Sequence, residues 1–98
     1  MYRYIRYSSI TKGTKFVPKL YTTYVMKSKT FDITHIGTTS DVQKRLDTHN
    51  NGFYQYTKNR GPWILAYKET FPTRTEAIER EYFFKTVAGK EFLKSKIK

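Results

Sequence analysis

A carboxylate lies within the apolar face of a helix predicted for the second half of the chain. Apolar residues recur at the spacing of one helix face between residues 73 and 88, and they are Ala77, Ile78, Phe84 and Ala88. At about 100° per residue, Glu81 falls in the middle of this stripe instead of on the solvated side. A buried carboxylate is costly unless it is paired, hydrogen-bonded or bound to a metal. The sequence therefore predicts a helix that packs on a core and holds one functional or ion-paired carboxylate.

The composition limits the chain to one small domain without covalent cross-links. It has 98 residues, and seven Phe, nine Tyr and one Trp provide large apolar surfaces for a small core. The absence of cysteine removes disulfides and thiolate metal sites and fits a reducing compartment. No apolar run reaches membrane-spanning length, and the basic N-terminus lacks a signal-peptide hydrophobic segment. We therefore expect an intracellular, cytoplasmic protein that binds no membrane.

The charge of the chain points to a polyanionic partner. Nineteen Lys and Arg residues stand against eight Asp and Glu residues, which gives a formal net charge of +11. Nucleic acid is the commonest polyanion for such a surface, with a ribosome-associated protein or a basic surface kept for solubility as alternatives. Residues 1–20 contain five basic residues and no acidic one. We expect a basic N-terminal extension there, either an arm along a nucleic-acid backbone or a loosely ordered leader, followed by a compact domain at residues 21–98.

Three strands and two main helices are predicted in the compact part. Strands are expected at residues 21–27, 31–36 and 63–71, which are rich in aromatic and β-branched residues, and Gly37 is expected to close the second one. The first helix is expected to begin at a cap on Thr39 or Ser40 and to run to about His49, before the stop signal Asn50-Asn51-Gly52.

The second helix is expected to open at the capping-box pattern Thr73-x-x-Glu76 and to be broken by Gly89 before a short helix at residues 90–98. The predicted fold is therefore α+β, with a small three-stranded, mainly antiparallel sheet flanked by helices. Its order is β-β-α-β-α with a short C-terminal helix.

This order, with short motifs on each element, is similar to the GIY-YIG nuclease family. Thr22-Thr23-Tyr24 stands where the family has Gly-Ile-Tyr, and His35-Ile36-Gly37 stands where it has Tyr-Ile-Gly. The other matching segments are Arg45-Leu46 with His49 one turn on, Tyr56-Thr57, Arg60-x-Pro62-Trp63, and the run from Glu76 through Glu81 to Lys85. The resemblance covers nearly all of residues 21–96, and it implies an endonuclease that hydrolyses DNA with a divalent metal, Mg²⁺ or Mn²⁺.

The resemblance also implies roles for individual residues. Glu81 would be the metal ligand, since carboxylate oxygen suits a hard cation, with a structural salt bridge as its alternative. Arg45 would steady the scissile phosphate through its planar fork, or be a solvated helix residue. Tyr24 would lie near the attacking water, or only pack in the core. His49, one turn after Arg45, could transfer a proton or cap the helix end.

His35 is the departure from the family pattern, which has tyrosine at this position. The family phenol helps to activate water, and an imidazole with a pKa near neutrality suits a general base. Either the histidine substitutes as the base, or the pocket geometry is lost and activity falls. The second outcome would leave a DNA- or RNA-binding module that keeps the nuclease fold.

Nucleic-acid contacts are expected on the loop between the first helix and the third strand. This loop interleaves Phe53, Tyr54 and Tyr56 with Lys58 and Arg60, and aromatics can stack on bases while cations hold phosphates. Pinning of the loop to the core by its aromatics is the alternative. Outside the loop, Lys85 is expected to join these contacts. We expect DNA more than RNA as the partner, with a targeting protein or a second copy of the chain in a homodimer as the candidate protein partners.

Overall fold

One antiparallel sheet forms the centre of the protein. The computed structural model describes residues 19–97, so all but two residues of the predicted basic extension lie outside the described part, as does Lys98. The strands of the described part are β1 (Tyr21–Ser28), β2 (Thr34–Thr39) and β3 (Trp63–Phe71). Their order in the sheet is β2-β1-β3, and both outer strands run antiparallel to β1.

Helices cover both faces of this sheet. They are α1 (Val42–Asn50), α2 (Arg74–Phe84) and α3 (Val87–Lys96). The order β-β-α-β-α-α, with a three-stranded antiparallel sheet, confirms the predicted α+β fold and its short C-terminal helix. Within residues 19–97, no helix has the length and apolar character needed to cross a membrane.

Two apolar clusters hold the helices to the sheet. On one face, Tyr24 and Trp63 are buried with Met26, and apolar residues of α1 pack against them. On the other face, Val25 and Phe84 are buried with residues of α3. The central strand β1 therefore contributes buried residues to both clusters.

An ion pair fixes α2 against β3. Arg80 donates from Nε to Oε1 of Glu69 at 2.8 Å, and the Tyr67 hydroxyl donates to Oε2 of the same carboxylate at 2.6 Å. Burial, followed by the hydrogen bond to Glu69, raises the pKa of Tyr67 to about 12. The Thr23 hydroxyl adds a bond of 2.7 Å to the carbonyl of Ala77. These contacts set the position of the helix that carries Glu81.

The start of α1 and the bounds of β2 differ from the prediction. Asp41 caps α1, because its side chain accepts from the backbone N–H of Lys44, and neither Thr39 nor Ser40 has this role. The Thr39 hydroxyl instead accepts from the N–H of Asp41 at 3.1 Å, within the turn before the helix. Strand β2 begins three residues later than expected and continues two residues beyond Gly37.

The later start of β2 has a local cause. The Ser28 hydroxyl accepts from the backbone N–H groups of Thr30 and Phe31, which holds residues 28–31 in a turn instead of a strand. The chain reaches the sheet only after that turn.

The prediction that Gly89 breaks the second helix is wrong. Helix α2 ends at Phe84, Thr86 caps α3 by accepting from the N–H of Gly89, and Gly89 lies inside α3. A Cβ atom at this position would overlap the carbonyl of Phe83. The glycine therefore permits close approach of the two helices. Ala88, which the apolar stripe included, is exposed on α3.

Candidate active site

The central strand and the edge strand β2 form the floor of the site. Tyr24 is fully buried on β1 and lies opposite Gly37 of β2. A Cβ atom on Gly37 would overlap the Tyr24 hydroxyl and would lie 2.7 Å from its Cζ. The phenol therefore crosses directly over the glycine, and any side chain at that position would displace it.

His49 stands at the end of α1 and holds the phenol from one side. Its ring is 3% exposed, with Nε2 at 3.4 Å from the Tyr24 hydroxyl and Nδ1 at 2.7 Å from the Thr57 hydroxyl. Thr57 can donate to the carbonyl of Tyr54 at 3.5 Å, so its oxygen is free to accept from Nδ1–H of His49. This arrangement of protons leaves Nε2 as the acceptor of the Tyr24 hydroxyl.

The His49 ring is uncharged at neutral pH, because its pKa is lowered. Burial is the largest cause that lowers its pKa to about 4, followed by the neighbouring His35 and Arg45. A neutral ring gives little of the charge stabilisation expected of a cap at the helix end, and His49 joins α1 to the loop through Thr57.

Arg45 holds the phenol from the other side. Its Nη1 donates to the Tyr24 hydroxyl at 3.3 Å, and its guanidinium lies 5.6 Å from the ring centre of Tyr54. Within residues 19–97 it forms no ion pair with a carboxylate, so its remaining donors are available to an anion. Burial raises the pKa of Tyr24 above its ordinary 10, against the opposing effect of the Arg45 bond, and the phenol is therefore protonated at neutral pH.

His35 lies beside this group on the edge strand. Its ring centre is 4.8 Å from that of His49 and 6.2 Å from that of Tyr24. Burial first, and the charge of Lys85 second, lower the pKa of His35 below its ordinary 6.5. Within the described chain no hydrogen bond to the His35 ring occurs, so an unprotonated ring nitrogen can accept from a water.

Glu81 of α2 lies against Thr38 of the edge strand β2. The Thr38 hydroxyl donates to its Oε1 at 2.6 Å, and the Lys85 ammonium donates to its Oε2 at 2.9 Å. The Glu81 side chain is 18% exposed, in agreement with its position in the apolar stripe. After the larger effect of burial, its negative charge raises the pKa values of Tyr24 and His35, and its partner Thr38 lies on the same strand as His35.

Glu81 is the carboxylate at this site, and the described residues contain no group of three or more His, Asp or Glu side chains arranged around a metal position. A fully protein-built cage is therefore not what these residues form. Mg²⁺ commonly takes one or two carboxylates and fills its remaining positions with water and substrate phosphate. A hydrogen-bonded carboxylate at the edge of the sheet fits that kind of site, provided that Lys85, whose side chain is 51% exposed, moves off one oxygen.

The predicted contact residues of the loop divide between two surfaces. Tyr56 lies beside the site, with its ring centre 5.8 Å from that of His35, and the guanidinium of Arg60 lies 5.2 Å from the Tyr56 ring centre. Lys58 lines a cavity of about 510 Å³ between the loop and the start of β3, which His49 and Thr57 also line. The structure therefore brings Tyr56 and Arg60 beside His35, places Lys85 on Glu81, and places Lys58 at this cavity.

Two residues of the site were not among the predicted ones. Thr38 positions Glu81, and Thr57 holds His49. Thr57 carried a signal, because it stands in the Tyr56-Thr57 segment of the family resemblance, whereas a threonine in a strand is too common to be selected by residue type. Tyr54 was expected to contact nucleic acid, and it packs on His49 with ring centres 4.5 Å apart.

Comparison with known proteins identifies the class to which this fold and site belong. A sequence model described as the GIY-YIG catalytic domain matches residues 20–95, and the chain belongs to this nuclease family. The family membership predicted from the motifs is thereby confirmed.

Individual relatives are of similar size. The UPF0213 protein SSP2268 of Staphylococcus saprophyticus is 42% identical over 72 residues, which span 72% of this chain and 87% of that protein. The UPF0213 protein YazA of Bacillus subtilis is 42% identical over 69 residues, 69% of each chain. The solution NMR structure of the UPF0213 protein BH0048 from Bacillus halodurans is 33% identical, with a TM-score of 0.47 over 78% of this chain and 83% of that one.

Proposed function

We propose that this protein is a metal-dependent endonuclease that hydrolyses phosphodiester bonds of DNA. The observation that carries the proposal is the meeting of an unpaired arginine, two neutral histidines, a buried phenol and a hydrogen-bonded carboxylate at one sheet edge. Membership of a nuclease family and the net charge of +11 support it. The charge also fits an intracellular protein that works on nucleic acid.

Glu81 is the residue that would hold Mg²⁺ or Mn²⁺. A bound divalent ion polarises the phosphate and stabilises the leaving oxygen. The hydrogen bond from Thr38 to Oε1 fixes the orientation of the Glu81 carboxylate. The carboxylate is therefore held in one rotamer before a metal binds. Lys85 shields the other oxygen in the absence of substrate, and its long side chain can turn from there to a phosphate of the bound strand.

Arg45 binds the scissile phosphate in this proposal. One of its nitrogens is committed to Tyr24, which fixes the guanidinium plane and leaves the other donors to face the phosphate oxygens. Donors fixed in this way stabilise negative charge as it builds up on the phosphate.

His35 takes the proton from the attacking water. Its ring is neutral at physiological pH because its pKa is lowered, and its ring centre lies 6.2 Å from that of Tyr24, which leaves room for a water between the two side chains. Tyr24 positions this water and does not accept its proton, because burial keeps the phenol protonated. His49 stays neutral, and its Nε2 orients the Tyr24 hydroxyl by accepting its hydrogen bond.

Cleavage of circular DNA tests the proposal. The chain is incubated with a supercoiled plasmid and, separately, with a single-stranded circle, in the presence of Mg²⁺, Mn²⁺ or EDTA. We expect nicking or linearisation of at least one substrate with metal and none with EDTA, leaving by family analogy a 5′-phosphate and a 3′-hydroxyl that ligase can rejoin. Binding without cleavage by the native chain, with cleavage gained in His35→Tyr, would instead establish a family fold that lost its chemistry.

The pH dependence of cleavage is expected to follow the protonation of His35. A general base works in its unprotonated form, so the rate should be level above neutrality and fall tenfold per pH unit below the pKa of His35, which lies under 6.5. His49 should add no step near neutrality, because its pKa is about 4. The measurement is the single-turnover rate at saturating metal from about pH 5 to about pH 9. His35→Tyr should remove this acid limb, and an unchanged limb in that variant would exclude His35 as the base.

A further inference from the structure

Five aromatic and imidazole rings form a continuous row through the candidate active site. In order of contact they are Phe53, Tyr54, His49, His35 and Tyr56, and we call this set the ring row. Successive ring centres are 5.1, 4.5, 4.8 and 5.8 Å apart. The third and fourth members are the histidines of the site, so Phe53 and Tyr56 at the ends of the row lie on either side of them.

The ends of the ring row are exposed to an extent that packing does not explain. Phe53 is 75% exposed and Tyr56 is 54% exposed, whereas His49 in the middle is 3% exposed. Tyr54 already closes the site over His49 and Arg45, so the loop does not need the Phe53 ring for anchorage. The Phe53 ring packs edge-to-face with Tyr54 and stays 75% exposed, and large apolar side chains left in solvent beside a site indicate a binding surface.

Each side of the row has a cation within reach. The guanidinium of Arg60 lies 5.2 Å from the ring centre of Tyr56, and that of Arg45 lies 5.6 Å from the ring centre of Tyr54. In the described part of the chain, neither arginine is paired with a carboxylate. Rings that offer stacking faces, alternating with unpaired cations, form the surface that binds an extended strand by its bases and its phosphates at the same time.

The faces of the bases are available only in an unpaired strand. In a duplex each base is stacked between its neighbours, and a side chain can reach its face only after unstacking, which costs a few kcal/mol per step. We infer that the substrate of this site is single-stranded DNA, whose bases stack on Phe53 and on Tyr56 while Arg45 holds the phosphate between them. This inference rests on the proposed function and specifies the strand state of its substrate.

Binding in EDTA tests the inference without cleavage. The native chain is titrated into a fluorescein-labelled single-stranded oligonucleotide of about 15 nucleotides, close to one binding-site length, and into the same sequence as a blunt duplex. We expect the single strand to bind at least about tenfold more tightly than the duplex. A factor of about this size corresponds to the stacking of one base on one aromatic side chain. Equal or tighter binding of the duplex would overturn the inference.

Matched variants separate stacking from charge. Tyr56→Ala and Phe53→Ala should each weaken single-strand binding by about tenfold and leave duplex binding within about twofold, since a duplex offers no base face. Tyr56→Phe keeps the ring and should bind as the native chain does. Lys94→Ala removes a cation from an exposed ion pair on α3 and should affect both substrates little. Equal losses for single strand and duplex in Tyr56→Ala would contradict base stacking.

The outcomes distinguish this inference from the proposed function. A chain that binds single strands through Tyr56 and cuts no DNA with any metal would retain the inferred substrate and lose the proposed chemistry. A chain that cuts duplex plasmid with metal and shows no preference in binding would retain the chemistry and lose the inferred substrate.

Discussion

Replacement of Glu81 by glutamine is expected to lower the rate of DNA cleavage by about a thousandfold. A metal that polarises phosphate contributes several kcal/mol to transition-state stabilisation, and an amide oxygen without charge holds a divalent ion far less well. Glutamine has the size of glutamate, and its amide oxygen can still accept a hydrogen bond from the Thr38 hydroxyl, so the local packing is preserved. The measurement is the single-turnover cleavage rate at increasing Mg²⁺, together with Mn²⁺ binding followed by electron paramagnetic resonance.

A matched control uses another carboxylate that is paired with a lysine. Glu91→Gln breaks the exposed pair with Lys94 on α3, which joins atoms 3.3 Å apart, and it should leave both cleavage and Mn²⁺ binding unchanged. The melting temperature of each variant should stay within a few degrees of the native value. If Glu81→Gln cut DNA within about tenfold of the native rate, the carboxylate would have only a structural role, in its pair with Lys85.

Replacement of Arg45 by lysine is expected to lower the cleavage rate at saturating DNA by about a hundredfold, the effect of removing one fixed donor from a developing anion. Lysine keeps the charge but cannot bond the Tyr24 hydroxyl and two phosphate oxygens together. DNA affinity should therefore change much less than the rate. The measurements are the single-turnover rate at saturating DNA and the dissociation constant in EDTA.

Arg74→Lys is the control for this substitution. Arg74 also places its guanidinium over a tyrosine, 4.7 Å from the ring centre of Tyr21, but it lies at the start of α2 and is exposed. The Arg74→Lys variant should cut DNA at the same rate as the native chain. If Arg45→Lys lost affinity and cut normally once saturated, Arg45 would act in binding and not on the scissile phosphate.

Periodicity made the framework and the position of Glu81 predictable. Helix α2 must bury the face that carries Ala77 and Phe84, and the angular position of Glu81 beside that face follows from the geometry of any helix. The strands were similarly readable, because β1 and β3 are dense in aromatic and β-branched residues. Family motifs then allowed Tyr24, Arg45 and His49 to be assigned to one place although they lie on different elements.

The remaining contacts depended on packing that has no signature in the sequence. Gly89 shows why: a glycine is equally typical of a helix stop and of a close contact between helices, and only the position of the Phe83 carbonyl decides between them. The bond between Thr57 and His49 joins a loop to a helix and has no period to reveal it. Thr39, Ser40 and Asp41 are all residue types that cap helices, and only local geometry decides that Asp41 is the cap of α1.

The Thr57 contact indicates which part of the loop can be varied without disturbing the site. Thr57 bonds His49 through its hydroxyl, and its carbonyl accepts a hydrogen bond from the indole N–H of Trp63 at 3.1 Å, so this residue is tied to the framework. Tyr54 packs on His49 and has to be kept with it. Phe53 and Tyr56, which precede Thr57 in the loop, are exposed to solvent. A library that varies residues 53, 55, 56 and 58–60 should therefore change which nucleic acid is bound and leave the contacts of His49 intact.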